Sequence, residues 1–177
     1  QYSLPVSEYA TDLVPGQTPY RVYVNTVNAN DFVSSVYGNN EAPFFFSPSE
    51  GFYNDPFGAI LASSVNPEFY AFFPALEADS WLTIGIDSQN VGDEIAVSSV
   101  EDPAQPYLGA FASGTALDGQ DIAINTIAGG VWYVLNNTPN GLPDENIQVL
   151  IMQFTTAGAF EGHFNVRPVG SGSRSPA

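Results

Sequence analysis

Short runs of alternating or continuous apolar residues recur along this chain, each stopped by glycine, proline, asparagine or aspartate, the pattern of β-strands between turns. In Tyr20 to Val27, Tyr20, Val22, Val24 and Thr26 fall on one face and Arg21, Tyr23, Asn25 and Val27 on the other, which predicts a strand. Further strands are expected at 32–37, 95–100, 131–135 and 147–156, and a short one at 4–9. Phe44, Phe45 and Phe46 stand in a row between two prolines, so either both faces of that strand are covered or one ring is exposed. Residues 51–58 read as a short strand running into an Asp-Pro turn, and 106–113 as a segment with room for one strand. Asp118-Gly119 predicts a hairpin between Thr115-Ala116-Leu117 and 122–125. Ala157-Gly158 predicts a second, folding 160–166 back on 147–156.

The stretch from Asn66 to Asp87 carries four aromatic rings in its first half and Trp81 at the head of an alternating run. It is expected to form the central strand pair of the core, with Trp81, Thr83 and Gly85 facing one way and Leu82, Ile84 and Ile86 the other. About ten short strands without a long amphipathic helix predict an all-β protein, an antiparallel β-sandwich or jelly-roll-like fold. The expected organisation is an extended N-terminal arm over residues 1–18, one domain over 19–168 and a Gly/Ser tail or linker over 169–177.

Composition sharpens this picture. Of 177 residues, 44% are hydrophobic and 14% aromatic, ample for a packed core. Nineteen acidic residues stand against three basic ones, Arg21, Arg167 and Arg174, for a net charge of -16. Such a chain cannot assemble the basic patch that nucleic acid or anionic membranes require. It suits a saline setting, where self-repulsion is screened within roughly 8 Å or less. With no cysteine, disulfides and thiolate metal sites are out of reach. No apolar run reaches the ~18 residues of a membrane span, so no membrane insertion is expected. The start at Gln1 reads as the end left by removal of a signal peptide or by trimming, and favours a secreted or cell-surface location.

Candidate chemistry is sparse. His163 is the only histidine, too little for a catalytic triad or a histidine metal site without partners elsewhere. Glu77 and Asp79, two apart, would share one face of a strand, and such a pair could do glycosidic acid/base work if held at the separation that chemistry demands. In so acidic a chain they read as solvated neighbours, and no enzyme is expected. Calcium is the stronger candidate, because Asp87, Asn90, Asp93 and Glu94, then Asp118 and Asp121, then Asp144 lie in oxygen-rich loops of the kind that hard cation takes. Trp81, Trp132, Tyr53, Tyr70 and Tyr107 could form a flat platform for glycan rings, although such residues mostly serve cores. Asn136, in Asn-Asn-Thr, is a glycosylation acceptor if the source is eukaryotic.

Several spaced words carry a resemblance: Tyr20-Arg21-Val22-Tyr23, Asp31-Phe32-Val33-Ser34-Ser35-Val36-Tyr37-Gly38, Asp55-Pro56-Phe57-Gly58, Asp79-Ser80-Trp81-Leu82-Thr83-Ile84-Gly85 and Gln153-Phe154-Thr155-Thr156-Ala157-Gly158. Over about residues 18–166 the chain resembles a β-rich domain of secreted and surface proteins of marine bacteria and of some algal proteins. That domain usually has Gln where Asn54 stands, a departure that leaves the turn intact. The resemblance implies a surface or matrix module and carries over no catalytic residue. The expected function is a secreted structural protein that assembles with copies of itself into a fibre, sheet or surface layer, possible strand addition by the arm included. The alternatives are a carbohydrate-binding module, with glycans as partners, and a shell-forming protein inside an algal organelle.

Overall fold

The structure, a computed structural model, describes residues 2–170. The last part of the expected tail, 171–177, lies outside the described residues. These hold eleven strands in three antiparallel sheets, with short 3-10 turns in place of α-helices, an all-β architecture of the β-sandwich class. In chain order the strands are β1 (Val6–Glu8), β2 (Thr18–Asn25), β3 (Phe32–Gly38), β4 (Phe44–Pro48), β5 (Trp81–Leu82), β6 (Ser98–Glu101), β7 (Ile122–Ile124), β8 (Gly130–Tyr133), β9 (Gln148–Thr156), β10 (Phe160–His163) and β11 (Asn165–Val169). The first sheet runs β1-β2-β9-β5, the second β10-β4-β7 and the third β11-β3-β8-β6.

The alternation read from the sequence holds where one face meets the core. Val22 and Val24 of β2 are buried, and in β4 Phe44 and Phe46 are buried while Phe45 is the exposed ring. One large cluster, including Val22, Phe44, Phe46, Leu82, Ile84, Trp132, Ile151 and Phe154, draws on all three sheets. The Trp132 indole N–H donates to the Ile151 carbonyl at 3.2 Å, tying the third sheet to the first. Residues of β9 are covered on both faces, because a second cluster of Ala62, Val65, Trp81 and Leu150 packs on the outside of the first sheet. The expected split of Trp81 from Leu82, Ile84 and Ile86 is therefore present, between two clusters.

Three expectations are corrected. Residues 66–80 do not form a strand: Pro67 and Pro74 each open a 3-10 turn, Pro67–Ala71 and Pro74–Ala78, and only Trp81–Leu82 is extended and paired with β9. Proline fixes φ and suits the first position of a helical turn, so these two residues override the β propensity of the rings around them. Asp118-Gly119 does not close a hairpin. Gly119 donates to the Ala110 carbonyl and accepts from the Phe52 N–H, and 122–124 pairs with β4. Residues 160–166 do not fold back on β9. They divide into β10, paired with β4, and β11, paired with β3.

Candidate functional site

Two surfaces and one cleft stand out. The first surface is the N-terminal arm. Val6, Ser7 and Glu8 pair with Val22, Arg21 and Tyr20, and all three arm residues are exposed. Tyr23 donates to the Pro5 carbonyl, Asn25 to that of Ser3, and the Tyr9 N–H to that of Pro19. By the alternation of antiparallel ladders, Ser7 and Arg21 form a hydrogen-bonded pair, while Val6 and Val22 are a close pair without mutual bonds. Side-chain ties are few: the Tyr2 hydroxyl donates to Asp31 at 3.0 Å, and the Arg21 guanidinium lies 3.6 Å from the centre of the Tyr9 ring.

Beneath the arm the apolar packing is incomplete. A groove of about 180 Å³ is lined by Leu4, Val6, Phe46, Phe154, Phe160 and Phe164, and one of about 340 Å³ lies between Leu4, Val24, Phe164 and Pro168. Leu4 and Val6 thus bridge apolar ground while remaining more than a third exposed. The charged Glu8 stands on the arm, which discourages a further strand from stacking on its outer edge.

The second surface is a group of phenylalanines. Phe57, Phe69, Phe72 and Phe73 are 68%, 51%, 76% and 43% exposed, and the rings of Phe57 and Phe73 lie 4.8 Å apart. A polar foundation holds them in place. The buried Asp79 carboxylate accepts from the N–H groups of Asp55 and Ala59, both at 2.8 Å, so the Asp55-Pro56-Phe57-Gly58 loop wraps around it. A Cβ at residue 58 would overlap that carboxylate, so only glycine allows the wrap. Burial pushes the Asp79 carboxyl up to about 7, against the pull of N–H donors from Ala59, Asp55 and Ser80 and with the help of the Asp55 charge. Below it, the buried Gln153 amide donates to the carbonyls of Glu77 and Asp79, and the Thr155 hydroxyl to that of Ala78. Glu77 does not share a strand face with Asp79. It lies within the 3-10 turn Pro74–Ala78 and accepts from the Tyr9 hydroxyl at 2.9 Å.

The cleft, about 470 Å³, brings together loops that the sequence had singled out separately: Asp87 and Glu94 from one, Asn140 and Asp144 from another, beside Arg21. Its carboxylates are already engaged. Asp87 pairs with Arg21 at 3.2 Å, Glu94 accepts from the Val91 N–H, and Asp144 accepts from the N–H groups of Asn146 and Gln148. Asn90 donates to the Glu94 carbonyl, and Asp93 is exposed nearby. Asp118 accepts from the Asn54 amide and the Gly114 N–H, and Asp121 is exposed. Among the described residues, no three His, Cys, Asp or Glu side chains come together as a metal would need.

The expected sugar platform is taken apart by the core. Trp81, Trp132 and Tyr107 are at most 2% exposed, and the Tyr107 hydroxyl donates to the carbonyls of Val131 and Val100. Tyr53 and Tyr70 are half-buried, and the Tyr53 hydroxyl is spent on Asp55. Asn136 is exposed on its loop. His163 stacks on Phe45 at the surface.

The exposed phenylalanines escaped the sequence reading because hydropathy sends such rings inward. The available signal was the pair Asn66-Pro67 and Phe73-Pro74: a proline after such a residue opens a 3-10 turn, whose short period cannot send every ring of the run inward. Among the described residues no helix is long and apolar enough to cross a membrane. No family model, curated protein or solved structure matches this chain.

Proposed function

We propose that this protein is a secreted or cell-surface structural protein that assembles with copies of itself, its N-terminal arm leaving its own β2 to pair with β2 of a neighbour. The observation that carries this reading is an edge strand with every residue exposed, lying over apolar grooves that it only partly fills. Little is lost when such a strand departs, and an identical arm from another copy regains it all, so exchange is nearly neutral per contact and favoured by concentration. Glu8 directs the process toward replacement of the arm and away from stacking on it. The high negative charge keeps the free chains soluble and makes assembly dependent on salt.

The absence of cysteine allows a direct test. Val6→Cys and Val22→Cys variants are prepared separately, mixed and oxidised, with the double variant in one chain as the control that the pair can bridge. Exchange yields a disulfide between two chains, increasing with salt, and electron microscopy then shows multi-chain particles. Bridging within the double variant but never between the mixed single variants would overturn the reading, as would a strictly monodisperse monomer in all salt conditions.

A further inference from the structure

We propose that the Phe57, Phe69, Phe72 and Phe73 surface is a second, two-fold interface that binds the same surface of another copy of this chain. The inference rests on the self-assembly reading above and names a contact separate from the arm. Three observations carry it.

The first is area. With roughly 200 Å² per ring, the exposed parts of the four phenylalanines amount to about 500 Å². That is as large as the biggest apolar patch on a typical monomer, and such patches are often functional. Two of them face to face bury on the order of 1,000 Å², the threshold of a specific protein interface.

The second is charge. In a chain of net charge -16, residues 56–76 contain a single ionisable acid, Glu68, and no base. Two identical acidic molecules meet at small electrostatic cost across such a nearly neutral segment. A basic partner would be drawn to the acidic faces instead, and an anionic lipid surface would be repelled by the whole molecule.

The third is rigidity. Phe57 is fixed by the loop wrapped on Asp79, and Phe69 to Phe73 by two proline-headed turns whose end is bonded to Gln153 and Thr155. Rings held this way lose little freedom on contact, the property of binding hot spots. A preformed patch that meets the same patch of another copy gives a closed pair. Combined with arm exchange at a different part of the surface, it links pairs into longer assemblies.

The test is sedimentation equilibrium of the full chain and of the Phe57→Ser/Phe72→Ser double variant across a sodium chloride series. Phe45→Ser, an exposed ring outside the patch, is the control. The parent forms a two-chain species that tightens with salt, and the double variant weakens it by about 30-fold or more with unchanged thermal unfolding. Phe45→Ser leaves it intact. Equal association of parent and double variant overturns the inference, and so does equal loss in Phe45→Ser. Sedimentation with zwitterionic phosphatidylcholine vesicles, dependent on Phe57 and Phe72 and without a two-chain species, overturns it in favour of a lipid surface. The cysteine-mixing result is independent: a Phe-dependent pair without inter-chain disulfide leaves this interface standing and removes arm exchange, and the reverse pattern does the opposite.

Discussion

The Arg21 guanidinium sits 3.6 Å from the centre of the Tyr9 ring and 3.2 Å from the Asp87 carboxylate, so the arm and the cleft loop are joined through one cation. Arg21 is also held by Gln153, which accepts from its Nε at 2.9 Å. Removing Tyr9 therefore frees the arm without disturbing the Arg21 ion pair. Tyr9→Ala is expected to cost about 0.5–2 kcal/mol of arm attachment while global stability changes little. Hydrogen exchange would report it: amides of β1 and the facing N–H groups of Tyr23 and Asn25 exchange faster, those of β9 do not. Uniform acceleration across the molecule would contradict the assignment.

The two tryptophans are equally buried but differ in their polar atom. Trp132 Nε1 donates to Ile151, whereas Trp81 Nε1 has no acceptor among the described residues. Truncation of either to alanine should cost roughly 3–5 kcal/mol. Replacement by phenylalanine separates them. Trp132→Phe loses volume and a buried hydrogen bond, and Trp81→Phe loses volume while relieving an unpaired donor. Urea unfolding should place Trp132→Phe lower by about 1 kcal/mol or more, and the reverse order would refute the argument.

Much of the core was legible in the sequence, because burial on one face imposes a period of two on Val22 and Val24 and on Phe44 and Phe46. Partner choice was not. Turn dipeptides such as Asp118-Gly119 and Ala157-Gly158 favour local pairing, yet Asn54, Ala110 and β4 offered better-satisfied contacts from far along the chain. The surfaces proposed as interfaces were half visible. The arm announced itself by position and prolines, while the phenylalanine patch was concealed by the assumption that aromatic runs are strands.

Gln153 is fully buried and holds three groups at once, the Arg21 Nε–H and the carbonyls of Glu77 and Asp79. Gln153→Leu keeps the bulk and orphans all three. Each unpaired buried polar group costs about 1–3 kcal/mol, so a loss on the order of 3 kcal/mol or more is expected by urea unfolding. The amides of 74–80 should lose protection first, loosening the ground beneath Phe72 and Phe73. A near-neutral substitution would show that the amide bonds are not what anchors this segment.

Asp79 gives the fold a pH dependence of unusual sign. Its carboxyl is raised by burial from an ordinary 3.8 to about 7, so the folded state holds this proton more tightly than the unfolded chain. The resulting stabilisation is complete below about pH 4 and is lost as pH rises through about 7. Asp31 and Asp102 run the other way. Burial opposes the Asp31 charge, but donors from Asn28, Val27 and Tyr2 hold its carboxyl below the ordinary range, as Thr126 and Ala104 do for Asp102. Their contributions are present at neutral pH and fade only in stronger acid. Between about pH 4 and pH 7 Asp79 therefore stands apart from them. Asp79→Asn removes its titration and sets an amide NH₂ against one of the N–H donors of Asp55 and Ala59, lowering stability at every pH. Subtracting the variant's urea stability curve from the parent's cancels the other titrating groups. The difference should be largest near pH 4 and shrink by a few kcal/mol toward pH 8, and a flat difference would mean that Asp79 stays ionised throughout, held so by its backbone donors.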